Sequence, residues 1–170
     1  MAALTSHMKF NHPNRTSKNV EGDFYTTGYW HEGEECGDCL DCLHPEGEAP
    51  ELLADVEKLD TYTHFVKQPS NAIELEQACG ACKVCCVSAL RYGGKDISII
   101  KKLGNNPEYC DYICHDGELV QSLDSAGEIL PFAEIYIKSY YRKIKIDYYM
   151  KLRFINFWKY KVKKLLYRKN

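Results

Sequence analysis

Residues 36–42 read Cys36-Gly-Asp-Cys39-Leu-Asp-Cys42 and place three cysteines on one short loop, with two residues between each and the next. A loop wound round a cubane cluster can point three thiolates at three of its iron corners, and it leaves the fourth corner to a remote part of the chain. Zinc sites commonly use two Cys-x2-Cys hairpins, so a third cysteine at the same interval is more than zinc requires. The spacing therefore favours an iron-sulfur cluster of the [4Fe-4S] type over a zinc ion.

The cysteine content of the whole chain supports the same interpretation. Nine cysteines among 170 residues are too many for an ordinary cytosolic core, and an odd number argues against a framework made only of disulfides. No segment resembles a secretory signal with its apolar stretch. Binding of a metal or a cluster is therefore the better first interpretation.

Four segments of the chain resemble the single-cluster, bacterial-type [4Fe-4S] ferredoxins, over about residues 22–91. They are Gly22-Asp-Phe-Tyr25, the Cys36–Cys42 loop, Phe65-Val-Lys-Gln-Pro69 followed by a helix, and Cys85-Cys86-Val-Ser-Ala-Leu90. In that family the loop supplies three ligands, and a Cys-Pro-x-x-Ala-Ile type segment at the end of a helix supplies the fourth. The resemblance implies that Cys36, Cys39, Cys42 and Cys85 hold the cluster, and that its chemistry is one-electron transfer rather than bond-making.

The fourth ligand is open between Cys85 and Cys86, because Cys86 stands where the family has proline. Choosing Cys85 puts Val87-Ser-Ala-Leu90 in register with the family's segment. Helical geometry favours the same choice, since on a helix Cys79, Cys82 and Cys86 fall within about 60° of one another and Cys85 lies outside that face. We therefore predict Cys85 as the fourth ligand, with Cys86 as the alternative.

The remaining cysteines allow several interpretations. Cys79, Cys82 and Cys86 fit small buried residues where a helix packs closely on a strand. Cys79 and Cys82 also fit a second, zinc-like site or disulfides formed with Cys110 and Cys114, which taken alone would lie on one face of a short helix. A further alternative is a zinc-bound interaction module, whose ligands would be Cys36, Cys39, Cys82 and Cys85.

The apolar pattern predicts an α+β fold, in which a small ferredoxin-like head of short strands and helices is followed by a long amphipathic C-terminal helix. The predicted strands cover 23–31, interrupted at Gly28, and 61–67. The predicted helices cover 51–59, a segment capped by Ser70 that reaches about Cys85, and 96–103. The expected division is an N-terminal arm (1–21), the ferredoxin-like iron-sulfur domain (22–91), short helices and a polar connector (92–130) and a basic aromatic helix (131–170).

Charge divides the chain into an acidic and a basic part. Residues 1–130 hold 10 Lys and Arg against 22 Asp and Glu, and residues 131–170 hold 12 against 2, so the two parts carry −12 and +10. From Pro131 to Lys169 apolar residues recur every three or four positions, which indicates one stripe of an α-helix about 50 Å long. No stretch there reaches the roughly 18 uncharged apolar residues that a membrane-spanning helix needs.

These charges predict different partners for the two parts. Thirteen acidic residues and one lysine lie between Glu21 and Asp60, which favours a basic redox partner docking at the acidic head. For the basic helix we expect attachment to protein subunits of a larger assembly, with a membrane surface as an alternative and nucleic acid less favoured. The acid-free N-terminus fits an organelle-targeting segment or a plain polar arm. Together these features favour a mitochondrial respiratory complex, in the matrix or at the inner membrane, over the ribosome of the organelle.

The sequence offers no catalytic constellation. It has no nucleophile-base pair, no glycine-rich phosphate loop and no paired carboxylates whose spacing stands out, so we expect neither an enzyme nor a small-molecule substrate. The predicted function is a ferredoxin-like one-electron carrier or a cluster-bearing accessory subunit. The alternative is a structural iron-sulfur or zinc-bound subunit, which bridges other proteins without redox turnover.

Overall fold

The computed structural model describes residues 10–40, 42–54 and 61–166, with the backbone alone described for 152–166. Within these residues the chain forms short strands and four helices. The strands are β1 (Phe24–Thr26), β2 (Gly28–His31), β3 (Glu34–Gly37), β4 (Leu90–Tyr92), β5 (Tyr112–His115) and β6 (Glu118–Gln121), and the helices are α1 (His44–Glu48), α2 (Ala72–Val84), α3 (Ile97–Lys102) and α4 (Glu134–Leu166).

The strands pair in antiparallel couples, β1 with β4, β2 with β3 and β5 with β6. The prediction of a mixed α and β head followed by a long C-terminal helix is therefore confirmed. The likeness to the ferredoxin fold stays a prediction. The break in the first strand is also confirmed, because β1 ends at Thr26 and β2 begins at Gly28.

One apolar core runs through the head. At its centre Phe24 of β1 lies opposite Tyr92 of β4, with ring centroids 4.9 Å apart, and Phe65 packs on the other side of Phe24. The core continues to Ala133, and Phe10 packs against it from the N-terminal side. Segments 10–21 and 92–130 thus contribute to the same core as segment 22–91.

The N-cap of helix α2 lies one residue later in the chain than predicted. Asn71, rather than Ser70, is the N-cap, and its Oδ1 accepts the N–H groups of Ile73 and Glu74, both at 3.0 Å. Ser70 instead donates its hydroxyl to Glu74 Oε2 at 2.9 Å. Asn71 therefore supplies the acceptor that the first amides of the helix need, while Ser70 bonds to the side chain of Glu74.

Replacing Asn71 with alanine should lower the free energy of unfolding by about 1 kcal/mol, because two amides at the start of α2 lose their acceptor. Ser70→Ala is the matched control and should cost less than about 0.5 kcal/mol, since it removes only an exposed bond. Urea unfolding of the two variants decides the point. A larger loss of stability in Ser70→Ala than in Asn71→Ala would show that Ser70, the predicted residue, caps the helix.

Two elements predicted between residues 51 and 67 are wrong where the structure describes them. Leu52 lies in a turn rather than a helix, and Leu53 forms an isolated bridge with Phe65 in place of a strand over 61–67. Leu52 and Phe65 are fully buried, and the Leu52 carbonyl accepts the Val66 N–H at 2.9 Å. Burial of these side chains thus holds the two segments together in a non-helical conformation. Residues 55–59 of the predicted helix lie outside the described residues.

The polar connector predicted at the end of segment 92–130 is also wrong in part, because Glu118–Gln121 belongs to a hairpin. β5 and β6 are joined by Asp116 and Gly117, which have φ values of 50° and 87°. Positive φ at both positions matches the twist of paired strands, and Asp-Gly is the usual sequence for it. Cys114 consequently lies on β5, not on a helix face shared with Cys110.

Helix α3 matches its prediction, with Asp96 as N-cap. Helix α4 was predicted over 131–169 and extends from Glu134 to Leu166, with residues 167–170 outside the described part. Within that part, none of the helices combines the length and apolar character that spanning a membrane requires.

A buried ion pair ties β1, β4 and the start of β5 together. Arg91 Nε donates to Asp111 Oδ1 at 3.0 Å, and the Tyr25 hydroxyl donates to Asp111 Oδ2 at 2.7 Å. The guanidinium also donates to the carbonyls of Pro107 and Glu108, both at 2.8 Å. Asp111 is fully buried, so its charge depends on these partners for stabilisation.

His12 lies beside this network. Its ring centroid is 6.0 Å from that of Tyr25, and its Nδ1 accepts the Asn14 N–H at 3.1 Å. Burial and the positive charge of Arg91 lower the pKa of His12 from 6.5 to about 4. The imidazole is therefore neutral in the folded protein at physiological pH.

The fold should lose stability as the pH falls from about 6.5 to about 4, because the unfolded chain protonates His12 in this window and the folded chain does not. Above pH 6.5 the stability that depends on the neutral His12 imidazole is fully present. His12→Gln cannot titrate, so it should remove about 2 kcal/mol of the loss. The measurement is urea unfolding of wild type and variant near neutral pH and near pH 4. Equal losses of stability in wild type and in His12→Gln would contradict this role of His12.

Candidate metal centre

The three loop cysteines follow a β-hairpin. Cys36 lies on β3, opposite Tyr29 of β2, while Cys39 and Cys42 follow in the segment between β3 and α1. All three side chains are partly exposed, and Asp41 between them lies outside the described residues. The hairpin thus carries these cysteines to the edge of the head, within reach of solvent.

Glu35 anchors β3 immediately before Cys36. Its carboxylate accepts the N–H and the hydroxyl of Ser17, at 2.9 and 2.7 Å, and the hydroxyl of Tyr62 at 2.5 Å. Burial acts to raise the pKa of Glu35, but the hydrogen bonds from Tyr62 and Ser17 outweigh it, so the pKa is lowered. An ionised Glu35 therefore fixes the strand to two distant segments of the chain.

Gly28 allows β2 to pass close to this strand. A Cβ atom at position 28 would lie 2.2 Å from the carbonyl oxygen of Cys36 and 2.6 Å from Cγ2 of Thr16. Only glycine fits between these atoms without a shift of the backbone that carries the first cysteine. Gly28 is thus required for the position of Cys36, and it also marks the break between β1 and β2.

Cys85 lies in a tight turn at the end of α2. It is the C-cap, with an extended backbone (φ −67°, ψ 109°), and its carbonyl accepts the Ser88 N–H at 3.3 Å. The Cys85 Sγ accepts the Ala89 N–H at 3.3 Å and is almost fully buried, with 5% of the residue exposed. The turn therefore holds one sulfur in the interior, with an amide hydrogen bond directed at it.

The predicted helical positions of Cys85 and Cys86 are wrong, because α2 ends at Val84 and neither residue lies on it. The predicted burial of Cys86 is also wrong, because Cys86 is exposed at the second position of the turn that follows Cys85. Proline is common at that position because its fixed φ suits the turn. Cys86 thus takes a place in the turn where proline would fit.

Thr27 joins the cysteine loop to the Cys85 turn. Its N–H donates to the Ala89 carbonyl at 2.9 Å, and its own carbonyl accepts the Asp38 N–H at 3.0 Å. Asp38 lies between Cys36 and Cys39, and Ala89 is the residue whose amide bonds to the Cys85 sulfur. Thr27 therefore connects the two segments that are predicted to share a cluster.

The far end of the loop is tied to the same region. Cys42 lies just before α1, and α1 packs against α2, the helix that ends at Cys85. Pro45 is buried in this contact region, in the first turn of α1. Both ends of the loop are thus connected to the element that positions Cys85.

The other cysteines belong to the apolar core. Cys79, Cys82 and Cys110 are buried in the same core as Cys85, and Cys114 packs against it. Burial raises the pKa of the Cys79 thiol to about 11 and also raises the pKa of Cys82 and Cys110. These thiols are therefore protonated at neutral pH and pack as small apolar side chains. The second site predicted from these four cysteines stays a prediction.

Neither a disulfide nor a site for a single ion is formed by the described side chains. All nine cysteines lie in the described part, and no disulfide joins any two of them. No three His, Cys, Asp or Glu side chains there come close enough to bind one ion. Thiolates on one zinc ion lie roughly 4 Å apart. Those on a cubane sit on separate iron corners and lie farther apart, so the wider spacing of these thiols is compatible with a cluster.

Several residues that position the cysteines carry no recognisable sequence signal. Ser17, Thr27 and Tyr62 act through backbone or hydroxyl groups from segments that are distant in the chain. Glu35 is one of the thirteen acids that predicted the acidic docking surface, but its carboxylate bonds internally. In comparisons with protein-family models, curated proteins and solved structures, no match to this chain was found.

Proposed function

We propose that this protein is a one-electron carrier that holds one [4Fe-4S] cluster through Cys36, Cys39, Cys42 and Cys85. The observation that supports it best is the backbone connection through Thr27, which links the loop of the first three cysteines to the turn of the fourth. Three nearby thiolates and one remote thiolate are the ligand set of a cubane. Soft sulfur ligands select such clusters over hard cations.

The residues around the proposed site fit a cluster ligand at Cys85. The Ala89 amide already donates to its sulfur, and amide hydrogen bonds to ligand sulfurs stabilise the negative charge of the cluster and raise its potential. When bound, the cluster would supply a centre that accepts and releases one electron. The protein's own part is to orient the four thiolates, to bury Cys85 and to leave the loop side accessible to a partner.

The surface next to the loop fits a basic redox partner. Glu32 and Glu34 are exposed at the tip of the β2–β3 hairpin, where Trp30 is 72% exposed. Glu35 adds its negative charge to this surface from a fixed position, since Ser17 and Tyr62 bind its carboxylate. An acidic rim around an exposed aromatic side chain favours electrostatic steering of a cationic partner, whose encounter rate falls with salt.

The test of the function is reversible reduction of the full-length chain after anaerobic reconstitution with iron and sulfide. Dithionite should bleach the visible absorption and produce the EPR signal of a reduced cluster, and a mild oxidant should restore the absorption. A cluster that is bound but neither accepts nor returns an electron would contradict the carrier function, and it would favour a structural cluster.

A further inference from the structure

Among the described side chains of helix α4, those at its beginning contact the head. The Tyr136 hydroxyl lies 2.9 Å from His115 Nδ1, and the Tyr141 hydroxyl donates to Glu108 Oε2 at 2.8 Å. Tyr140 packs against the core between these two contacts. The first two turns of α4 therefore form an interface with the head.

Past this interface the described part of the helix stands in solvent. Every residue from 142 to 151 is exposed, including Ile144 at 46% and Tyr148 at 61%. The backbone continues as helix to Leu166. Most helical stability in proteins comes from packing of an amphipathic face, so a partner surface against the exposed residues would stabilise this helix.

The apolar face that docks on the head continues into this exposed part. Tyr140, Ile144 and Tyr148 follow at intervals of four, so they lie along one side of the helix. Lys138, Arg142 and Lys145 lie on other faces, whereas Asp147 and Lys151 lie close to the stripe. The exposed apolar stripe is thus continuous with an interface and flanked by positive charge.

We propose that this stripe lies on an anionic lipid surface. Residues 131–170 hold 12 cations and 2 acids, so they are attracted along their whole length to a negatively charged layer. Tyrosines suit the boundary between headgroups and acyl chains because each has an apolar ring and a polar end. Nucleic acid would engage the cations but not the apolar stripe, whereas the lipid boundary binds both at once.

The negative charge of the head allows binding to anionic vesicles to be assigned to the helix. Residues 1–130 carry −12, so they are repelled by anionic vesicles, and binding of the full-length chain reports the helix. The full-length chain should co-sediment with vesicles of equal parts phosphatidylcholine and phosphatidylserine. It should bind vesicles of phosphatidylcholine alone at least about tenfold more weakly, and high salt should weaken binding to the anionic vesicles.

A matched pair of variants tests the stripe. Ile144→Gln should weaken binding to the anionic vesicles about tenfold, because an apolar side chain no longer enters the boundary. Ile146→Gln makes the same change about 200° round the helix and should alter binding by less than about twofold. Both residues are about equally exposed, at 46% and 52%, so neither variant disturbs the head.

Three results would overturn the proposal: equal binding to neutral vesicles, equal effects of the two variants, or no vesicle binding by a chain that binds single-stranded RNA or dimerises. None of them depends on the cluster, since the chain without iron should bind vesicles equally well.

Discussion

Replacing Cys85 with serine should abolish stable cluster binding, with loss of most of the iron and of the visible absorption after anaerobic reconstitution. Cys85 is the buried member of the proposed ligand set, and its sulfur already accepts the Ala89 amide. A serine oxygen is a harder ligand than a thiolate and holds iron-sulfur clusters poorly. Iron analysis and the absorption spectrum provide the measurement.

The control for this variant is the neighbouring cysteine. Cys86→Ser makes the same atomic change one residue away, on an exposed side chain, and should retain the cluster. The reverse pattern, with the cluster lost in Cys86→Ser and kept in Cys85→Ser, would assign the fourth ligand to Cys86. Retention in both variants would contradict a fourth ligand from this turn.

Replacing Asp111 with alanine should lower the free energy of unfolding by about 3–5 kcal/mol, which is the largest stability effect we expect from a single substitution in this chain. The change leaves the Arg91 charge buried without its carboxylate and removes the acceptor of the Tyr25 hydroxyl. Urea unfolding of the full-length chain gives the value.

Asp96→Ala is the comparison for this prediction. Asp96 is an exposed N-cap whose Oδ1 accepts the Ser98 N–H at 2.7 Å, so its loss should cost only about 1 kcal/mol. Similar losses in the two variants would show that the buried pair contributes no more than an exposed cap.

Local signals in the sequence predicted the elements that depend on local chemistry. Helices α2 and α3 follow capping residues, and α4 follows a long apolar periodicity. The break at Gly28 was likewise visible in the sequence, although its reason, the nearby Cys36 carbonyl, was not. The Asp116-Gly117 turn carried a hairpin signal of the same local kind that the sequence analysis overlooked.

Long-range contacts decided what the sequence did not predict. Leu52 and Phe65 are fully buried and bonded to neighbouring segments, so core burial overrides the helix and strand preferences there. In the site, the sequence identified the cysteines but not the groups that position them. Ser17 and Tyr62 reach Glu35 from 18 and 27 residues away, and such pairs leave no periodic pattern.

The most direct test of the proposed cluster is the iron, acid-labile sulfide and zinc content of the full-length chain, purified without oxygen. The ligand set predicts about four iron and four sulfide ions per chain and no stoichiometric zinc. One zinc ion per chain without sulfide, or a chain that holds neither metal after reconstitution, would contradict it.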